Sequence, residues 1–304
     1  MKSKDNLQAT ASRDQIPDSE LILNPDGSIF HLRLQPSQLA DTVLLVGDPG
    51  RVKSVSRHFS KIECEVSNRE FITHTGIYKG TRISVLSTGI GTDNIDIVVN
   101  ELDALVNIDL KNRVPFEKHR SLNLIRLGTS GSLQADIDTD SFLVSSHGLG
   151  MDGLLNYYGN LDKINENKVS EAFIRHTGWN KQLAFPYIVK ASDHLLELLG
   201  KGHKTGITAT APGFYGPQGR VLRIPLAVPG LNESFTSFEH EGLRITNFEM
   251  ETSALYGLSK HLGHEACTMC AIIANRLAGK YSKDYKVTVD QMIELVLSRL
   301  TMGC

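Results

Sequence analysis

The stretch RISVLSTGIGTDNIDIVVNELDALV, residues 82–106, decides the fold class. Its first part, Arg82 to Ser87, is a short run of apolar and β-branched residues bounded by glycines, the composition of a buried strand. From Thr92 to Val106 the period changes. Ile95, Val98, Val99, Leu102 and Leu105 recur at helical spacing and mark one apolar helix face. A strand feeding a helix through a glycine turn is the unit of an α/β fold.

The same alternation runs along the chain. Further strands are expected at Thr42 to Val46, Leu122 to Leu127, Ser141 to Ser145, Thr205 to Ala209, Leu243 to Phe248 and Ala266 to Ala274. Helices are expected to start near Val52, to close over Leu195 to Leu199 with Gly200 as the stop signal, and to run from Glu249 to Leu262, ended by Gly263. A last amphipathic helix covers Val289 to Leu300. The charged, Pro115-containing stretch Asn107 to Ser121 reads as a surface loop, as does much of Gly159 to Lys181, with part of the latter helical. No repeat or Pro/Gly/Ser linker divides the chain. The expected architecture is a single α/β domain over residues 29–304, a central mostly mixed β-sheet flanked by helices, preceded by a loose extension over residues 1–28.

Composition bounds the function. The chain has 304 residues, 40% hydrophobic and 22% charged, with a net charge of −2. That balance offers no field for nucleic acid or an anionic membrane, so any anion site must come from clustered arginines. The polar N-terminus, with Lys2, Lys4 and Arg13, lacks the apolar run of a signal peptide or membrane span, which points to the cytoplasm. Cys64, Cys267, Cys270 and Cys304 are too scattered for a disulfide framework. The Cys267/Cys270 pair lies in an apolar run without further metal ligands at zinc spacing, and is expected to be core packing.

In open α/β sheets ligands bind beyond the carboxyl ends of strands. Three glycine-rich loops stand there. Gly47-Asp48-Pro49-Gly50-Arg51 offers backbone N–H groups and a guanidinium to an anion, or is an ordinary turn with a solvated arginine. Arg126-Leu127-Gly128-Thr129-Ser130-Gly131 puts an arginine at the end of an apolar strand, where burial demands an anionic partner: a phosphate, or a carboxylate such as Glu251. Thr129 and Ser130 add hydroxyl donors. Ser87-Thr88-Gly89-Ile90-Gly91-Thr92 superficially suggests a dinucleotide turn but has Asn94 where the third glycine belongs. Farther on, Phe214-Tyr215-Gly216-Pro217-Gln218-Gly219-Arg220 presents an amide and a guanidinium two residues apart, a donor and acceptor set that suits a uracil edge, or is a surface loop. Glu249-Met250-Glu251 places two carboxylates at a strand–helix junction, where they favour a helix start or clamp vicinal hydroxyls.

Taken together, these segments resemble the nucleoside phosphorylase I family, and within it the uridine phosphorylases, from about Ile29 onward. Gly-Asp-Pro-x-Arg at 47–51, Asn-Arg-Glu-Phe at 68–71, Ser-Thr-Gly-Ile-Gly at 87–91, Arg-x-Gly-Thr-Ser-Gly at 126–131, Phe-Tyr-x-x-Gln-x-Arg at 214–220, Glu-Met-Glu at 249–251 and Asn-Arg at 275–276 occur in family order. The resemblance implies a phosphate site of Gly47, Arg51, Arg126 and Thr129, joined by Arg69 of a neighbouring subunit. It implies that Met250 and Glu251 hold the ribose, with His31 reaching across the dimer interface to its 5′-hydroxyl. Phe214 would stack near the nucleoside, Gln218 and Arg220 would read uracil, and Arg276 would support them. Arg220 and Arg126 are the residues expected to carry catalysis, and Arg126→Ala is expected to lose most activity while remaining folded.

The resemblance further implies phosphorolysis of uridine to uracil and ribose 1-phosphate, in a dimer unit assembled into a hexamer. No cofactor or metal is implied, phosphate being a co-substrate. Asn94 departs from the pattern: some bacterial relatives have there a serine that, with the glutamate matching Glu70, holds a monovalent cation. The rival readings are a purine nucleoside phosphorylase, which generally has an aspartate where this chain has Asn275, and a nucleosidase, which has no use for Arg51, Arg69 and Arg126 together. A non-catalytic nucleoside sensor would lack the phosphate set.

Overall fold

The computed structural model describes residues 15–301. In chain order the elements begin with β1 (Thr42–Val46), α1 (Pro49–Ser56), β2 (Lys61–Asn68), β3 (Phe71–Tyr78), β4 (Thr81–Ser87) and α2 (Thr92–Asn107). A two-residue ladder of β5 (Ile108–Asp109) and β6 (Val114–Pro115) precedes the long strands β7 (Asn123–Ser132) and β8 (Phe142–Gly150). Then come α3 (Asn167–Thr177), β9 (Tyr187–Lys190), α4 (Asp193–Gly200), β10 (Lys204–Thr210), α5 (Leu231–Ser237) and β11 (Glu239–His240). The chain continues through β12 (Leu243–Glu249), α6 (Thr252–Leu262), β13 (Glu265–Asn275), β14 (Lys280–Tyr281) and α7 (Tyr285–Leu300).

The sheet is mixed, as expected, and part of it closes. Strands lie in the order β11-β12-β10-β8-β13-β7-β1-β4-β3-β2, and β12 also pairs with β7. That extra antiparallel pairing, Asn247 with Ser132 and Phe248 with Gly131, joins β12, β10, β8, β13 and β7 into a ring. Closure removes the exposed edges those strands would otherwise present. Beyond β7, strands β1, β4, β3 and β2 extend as an open wing. β1 is parallel to both β4 and β7, so Val46, Ser87 and the far half of β7 end on one side of the sheet.

The apolar face of α2 packs as its period requires: Ile95, Val98, Val99 and Leu102 are 0% exposed. Asp48 starts α1 by accepting a hydrogen bond from Gly50 N–H at 2.8 Å, with Pro49 in the first turn. Gly263 ends α6 in the left-handed conformation. A second apolar cluster gathers Phe173, Phe235, Phe238 and Phe248 beneath α3 and α5.

Several expectations change. The helix expected from Glu249 begins at Thr252, because Glu249 completes β12 and its carboxylate accepts from Thr252 N–H at 3.0 Å. The part of 159–181 expected to be helical is α3, whose Val169, Ser170 and Phe173 are buried. The β2–β3 hairpin was not foreseen. β2 alternates polar and partly buried residues at the sheet edge, so it carries no apolar run. Residues 15–28, assigned to the loose extension, are fastened: Ile16 N–H donates to Arg113 O at 2.8 Å and Leu21 is buried. Residues 1–14 and Cys304 lie outside the described residues. Cys267 and Cys270 are buried and unbridged, and burial pushes their thiols up to about 12 and about 11. Among the described residues no helix is long and apolar enough to cross a membrane.

Candidate active site

A pocket of about 700 Å³ opens where β1, β4, β7 and β12 end. Gly47, Arg51, Arg126, Thr129, Phe214, Gln218, Arg220, Met250 and Glu251 all line it. The sequence singled them out in four separate segments, at 47–51, 126–131, 214–220 and 249–251. The closed part of the sheet brings those loops to one rim.

At one end lie the buried charges. Arg126 pairs with Glu251 through Nη2 and with Glu249 at 3.2 Å through Nη1. Its guanidinium packs against Gly128, where a Cβ would come within 2.0 Å of Nη1, so a side chain there would displace Arg126. The Nε of Arg126 is buried without a partner. Burial alone would lower the Arg126 pKa, but the two carboxylates outweigh it and hold the side chain charged. Arg51 approaches from the β1 loop and donates to Leu127 O at 3.0 Å. Burial first, then repulsion by Arg126, lowers its pKa. Two guanidiniums that repel each other at one end of a pocket form a site that a dianion would relieve.

The two carboxylates divide their work. Glu249 accepts from Thr210 Oγ1 at 2.7 Å and from Glu251 N–H at 3.0 Å, besides Thr252 N–H, and so pins the strand–helix junction. Glu251 accepts from Gly91 N–H at 2.8 Å and from Arg126. Burial raises its pKa, with Arg126 opposing and Glu249 adding to the rise. Each of its oxygens keeps a lone pair for a hydroxyl donor.

At the other end Arg220 is the hub. It donates to Gln218 Oε1 at 2.5 Å and to Phe214 O at 2.6 Å, and its guanidinium lies 3.8 Å from the Phe214 ring centroid. Arg276 does not line the pocket but grips the Gln218 carbonyl from behind. Burial, then the charge of Arg276, lowers the Arg220 pKa.

Three further residues named from the sequence lie outside this pocket. His31 lies outside this chain's own pocket, with Nδ1 2.7 Å from Glu101 on α2. Arg69 sits at the β2–β3 turn with φ of 53° and does not line the pocket either. Asn275 does not face the pocket: its amide donates to Gln134 O and Ile137 O at 3.0 and 2.8 Å, and Oδ1 accepts from Ala278 N–H at 2.9 Å. An ionised aspartate there would set a charge against two carbonyls. Asn275 therefore shapes the loop rather than touching a ligand.

Glu70 and Asn94, named from sequence only in connection with a cation site, line the same pocket, and the structure adds Phe248, Ile273 and Tyr281. Asn94 Nδ2 donates to Glu70 Oε1 at 3.4 Å. A separate, apolar cavity of about 800 Å³ lies behind the 212–231 segment and shares Arg220 with the first, but it lacks the buried charge cluster. Away from both, Asp103, His119 and His264 offer three possible metal-ligand atoms within 4.8 Å of one another. His264 Nδ1 accepts from Leu122 N–H at 3.2 Å, which places the neutral ring's proton on Nε2, the atom facing Asp103. No lone pair is then left for an ion.

Comparison with known proteins agrees with this geometry. The family model of the phosphorylase superfamily matches residues 41–301. A uridine phosphorylase of Thermococcus kodakarensis is 31% identical over 266 residues, covering 85% of this chain and 81% of that protein. A DeoD-type purine nucleoside phosphorylase of Bacillus cereus is 27% identical, over 88% of this chain and 96% of that one. Among solved structures, a Trypanosoma brucei nucleoside phosphorylase that shows uridine phosphorylase activity superposes with a TM-score of 0.81 at 30% identity, covering 93% of this chain and 100% of that one. With the motif-bearing loops assembled around one pocket and the match running over most of its length, this chain belongs to the phosphorylase superfamily.

Proposed function

We propose that the chain is a uridine phosphorylase, converting uridine and inorganic phosphate to uracil and ribose 1-phosphate. The observation that carries the base assignment is the Gln218/Arg220 pair. An amide acceptor and a guanidinium donor lie side by side at 2.5 Å, held by Arg276. Uracil entering between them offers N3–H to Gln218 Oε1 and a carbonyl oxygen to Arg220, replacing the bond the two make to each other. Phe214 flanks the nucleoside. Gly47, Arg51, Arg126 and Thr129 take the phosphate, and Met250 and Glu251 the ribose between.

The chemistry follows from that order. Phosphate oxygen attacks C1′ as the C1′–N1 bond breaks, and the electron pair leaves with uracil, spreading onto its carbonyl oxygens. Arg220 stabilises that charge; loss of such a preorganised donor costs roughly 100- to 1000-fold in rate. Positioning of phosphate by Arg51 and Arg126 supplies the rest. No nucleophilic side chain and no cofactor enters the scheme. We assign Asn94, through its hydrogen bond to Glu70, the place of the monovalent cation of the resembling bacterial enzymes.

His31 and Arg69 are proposed to complete a neighbour's site, in a dimer unit assembled into a hexamer in the cytoplasm. Their position outside this chain's own pocket supports that reading, since shared sites are the usual product of closed symmetric assembly. Complementation tests it: mixed His31→Ala and Glu251→Ala chains should regain activity that neither has alone.

The test of function compares kcat/KM for uridine, cytidine and inosine, with and without phosphate. Uridine should be cleaved only with phosphate. Cytidine should be rejected by about 10⁴-fold, because its amino group would face the donor-only Arg220. If inosine is the best substrate, the purine assignment takes the place of this one; equal base release without phosphate would make the chain a nucleosidase.

A further inference from the structure

A rung of buried polar groups crosses the closed part of the sheet and ends in the pocket, and the chemistry above does not use it. Ser145 on β8, Thr208 on β10 and Asn247 on β12 are 0% exposed, and Ser130 on β7 is 4% exposed. Ser145 Oγ lies 2.5 Å from Thr208 Oγ1, which donates to Asn247 Oδ1 at 2.8 Å. Thr246 Oγ1 also lies 2.9 Å from that oxygen, sharing its proton with Ile207 O. Asn247 Nδ2 then donates to Ser130 Oγ at 2.9 Å.

The direction of the rung matters more than its length. The amide stands with Oδ1 against two hydroxyls and Nδ2 toward Ser130. A serine hydroxyl has one proton and two lone pairs. Because Ser130 accepts from beneath, its own proton is left to donate. Ser130 lines the pocket, and its other buried neighbour is the Cys270 thiol, a weak acceptor that a ligand oxygen outcompetes. A reversed amide would instead draw the Ser130 proton inward.

We propose that Asn247 is a positioning residue that turns the Ser130 O–H toward the bound ligand, so that Ser130 donates to an oxygen of the substrate. Only the choice of substrate in the following test rests on the uridine phosphorylase reading. Asn247→Asp keeps the shape and reverses the polarity. An ionised carboxylate only accepts, so the Ser130 proton turns inward; the protonated acid again donates to Ser130. Burial raises that carboxyl's pKa toward the assay range.

Asn247→Asp, Ser130→Ala and the double variant are assayed from pH 8 to pH 5.5, with thermal unfolding showing that each is folded. At pH 8 each single variant should lose on the order of tenfold in kcat/KM, the worth of one hydrogen bond. The double variant should lose no more than either. As pH falls, the ratio of Asn247→Asp to wild type should recover while that of Ser130→Ala stays flat. A pH-independent Asn247→Asp loss, or losses that multiply in the double variant, would overturn the proposal. The ratios are taken on uridine and inosine alike, so that a wild type preferring inosine sinks the substrate assignment while the ratios still test Asn247.

Discussion

Replacing Arg126 should make the protein easier to unfold as well as silence it, a cost in stability that the expectation of a folded, inactive variant did not include. Arg126 is 6% exposed and neutralises Glu249 and Glu251, which are 4% and 3% exposed. In Arg126→Met, Glu249 keeps Thr210, Glu251 N–H and Thr252 N–H as donors, but Glu251 keeps only Gly91 N–H. Two buried carboxylates then repel each other without a cation. Breaking such a pair costs about 3–5 kcal/mol, a large part of the roughly 5–15 kcal/mol that holds a domain folded.

The pH dependence has a definite sign. Burial already raises the Glu251 pKa, and loss of Arg126 removes the main opposing effect, so the folded variant binds a proton more tightly than its unfolded chain. Its deficit should be largest at pH 8 and shrink as pH falls to 5.5. Urea unfolding at the two pH values, followed by circular dichroism, measures it. Adding Glu251→Gln should restore much of the lost stability, because the amide still accepts from Gly91 N–H and removes the repulsion with Glu249. Equal stability of Arg126→Met and wild type at pH 8, or no gain from the second substitution, would refute the reasoning.

Arg51→Ala should raise the KM for phosphate by at least tenfold and leave the KM for uridine nearly unchanged, which initial-rate kinetics will show. Gly219→Ala should do the reverse: Gly219 has φ of +69° and a Cβ there would come within 2.3 Å of Asn232 Nδ2, displacing Gln218 and Arg220 and raising the uridine KM several-fold. Burial, then Lys190 and Lys260, lowers the His147 pKa to about 4. The unfolded chain therefore binds an extra proton below about pH 6.5, and stability should decline from there toward pH 4 by up to about 3 kcal/mol. His147→Gln should flatten that stretch of the pH–stability curve.

The architecture was legible wherever burial writes a period into the chain. The apolar face of α2 and the run Thr42 to Val46 each answer to a single physical demand, and both fall where the sequence places them. The β2–β3 hairpin escaped because the edge strand β2 buries too little to show a pattern and because β3 buries polar residues, Thr73, His74 and Thr75, rather than an apolar run. The start of α6 slipped by three residues because Glu249 serves the strand, the helix cap and Arg126 together. Within the site, chemistry was readable from residue type and order, but direction was not. Asn275 and Asn247 are both buried amides, and only their partners show that one holds a loop and the other feeds the pocket. Whether Arg126 meets a phosphate or a carboxylate was open from sequence; the carboxylates are now in place, and a phosphate would join them rather than replace them.

The pairing of β12 with β7 has a consequence for how this pocket can change. Ser130, Gly131, Phe248, Glu249 and the residues just after them sit where the ring of strands is sewn shut, so none can shift without breaking a ladder shared by five strands. The base end has no such constraint. Phe214, Gln218 and Arg220 belong to one connecting segment between β10 and α5, anchored chiefly by Arg276 and Asn232 on the Gln218 carbonyl. In the assignment proposed above, the ribose end and Arg126 are thus built into the frame, whereas the choice of base hangs on an exchangeable insert. Lineages sharing this frame can diverge in the nucleobase they release by rewriting some twenty residues, and a graft of that segment between two of them should carry base preference with it.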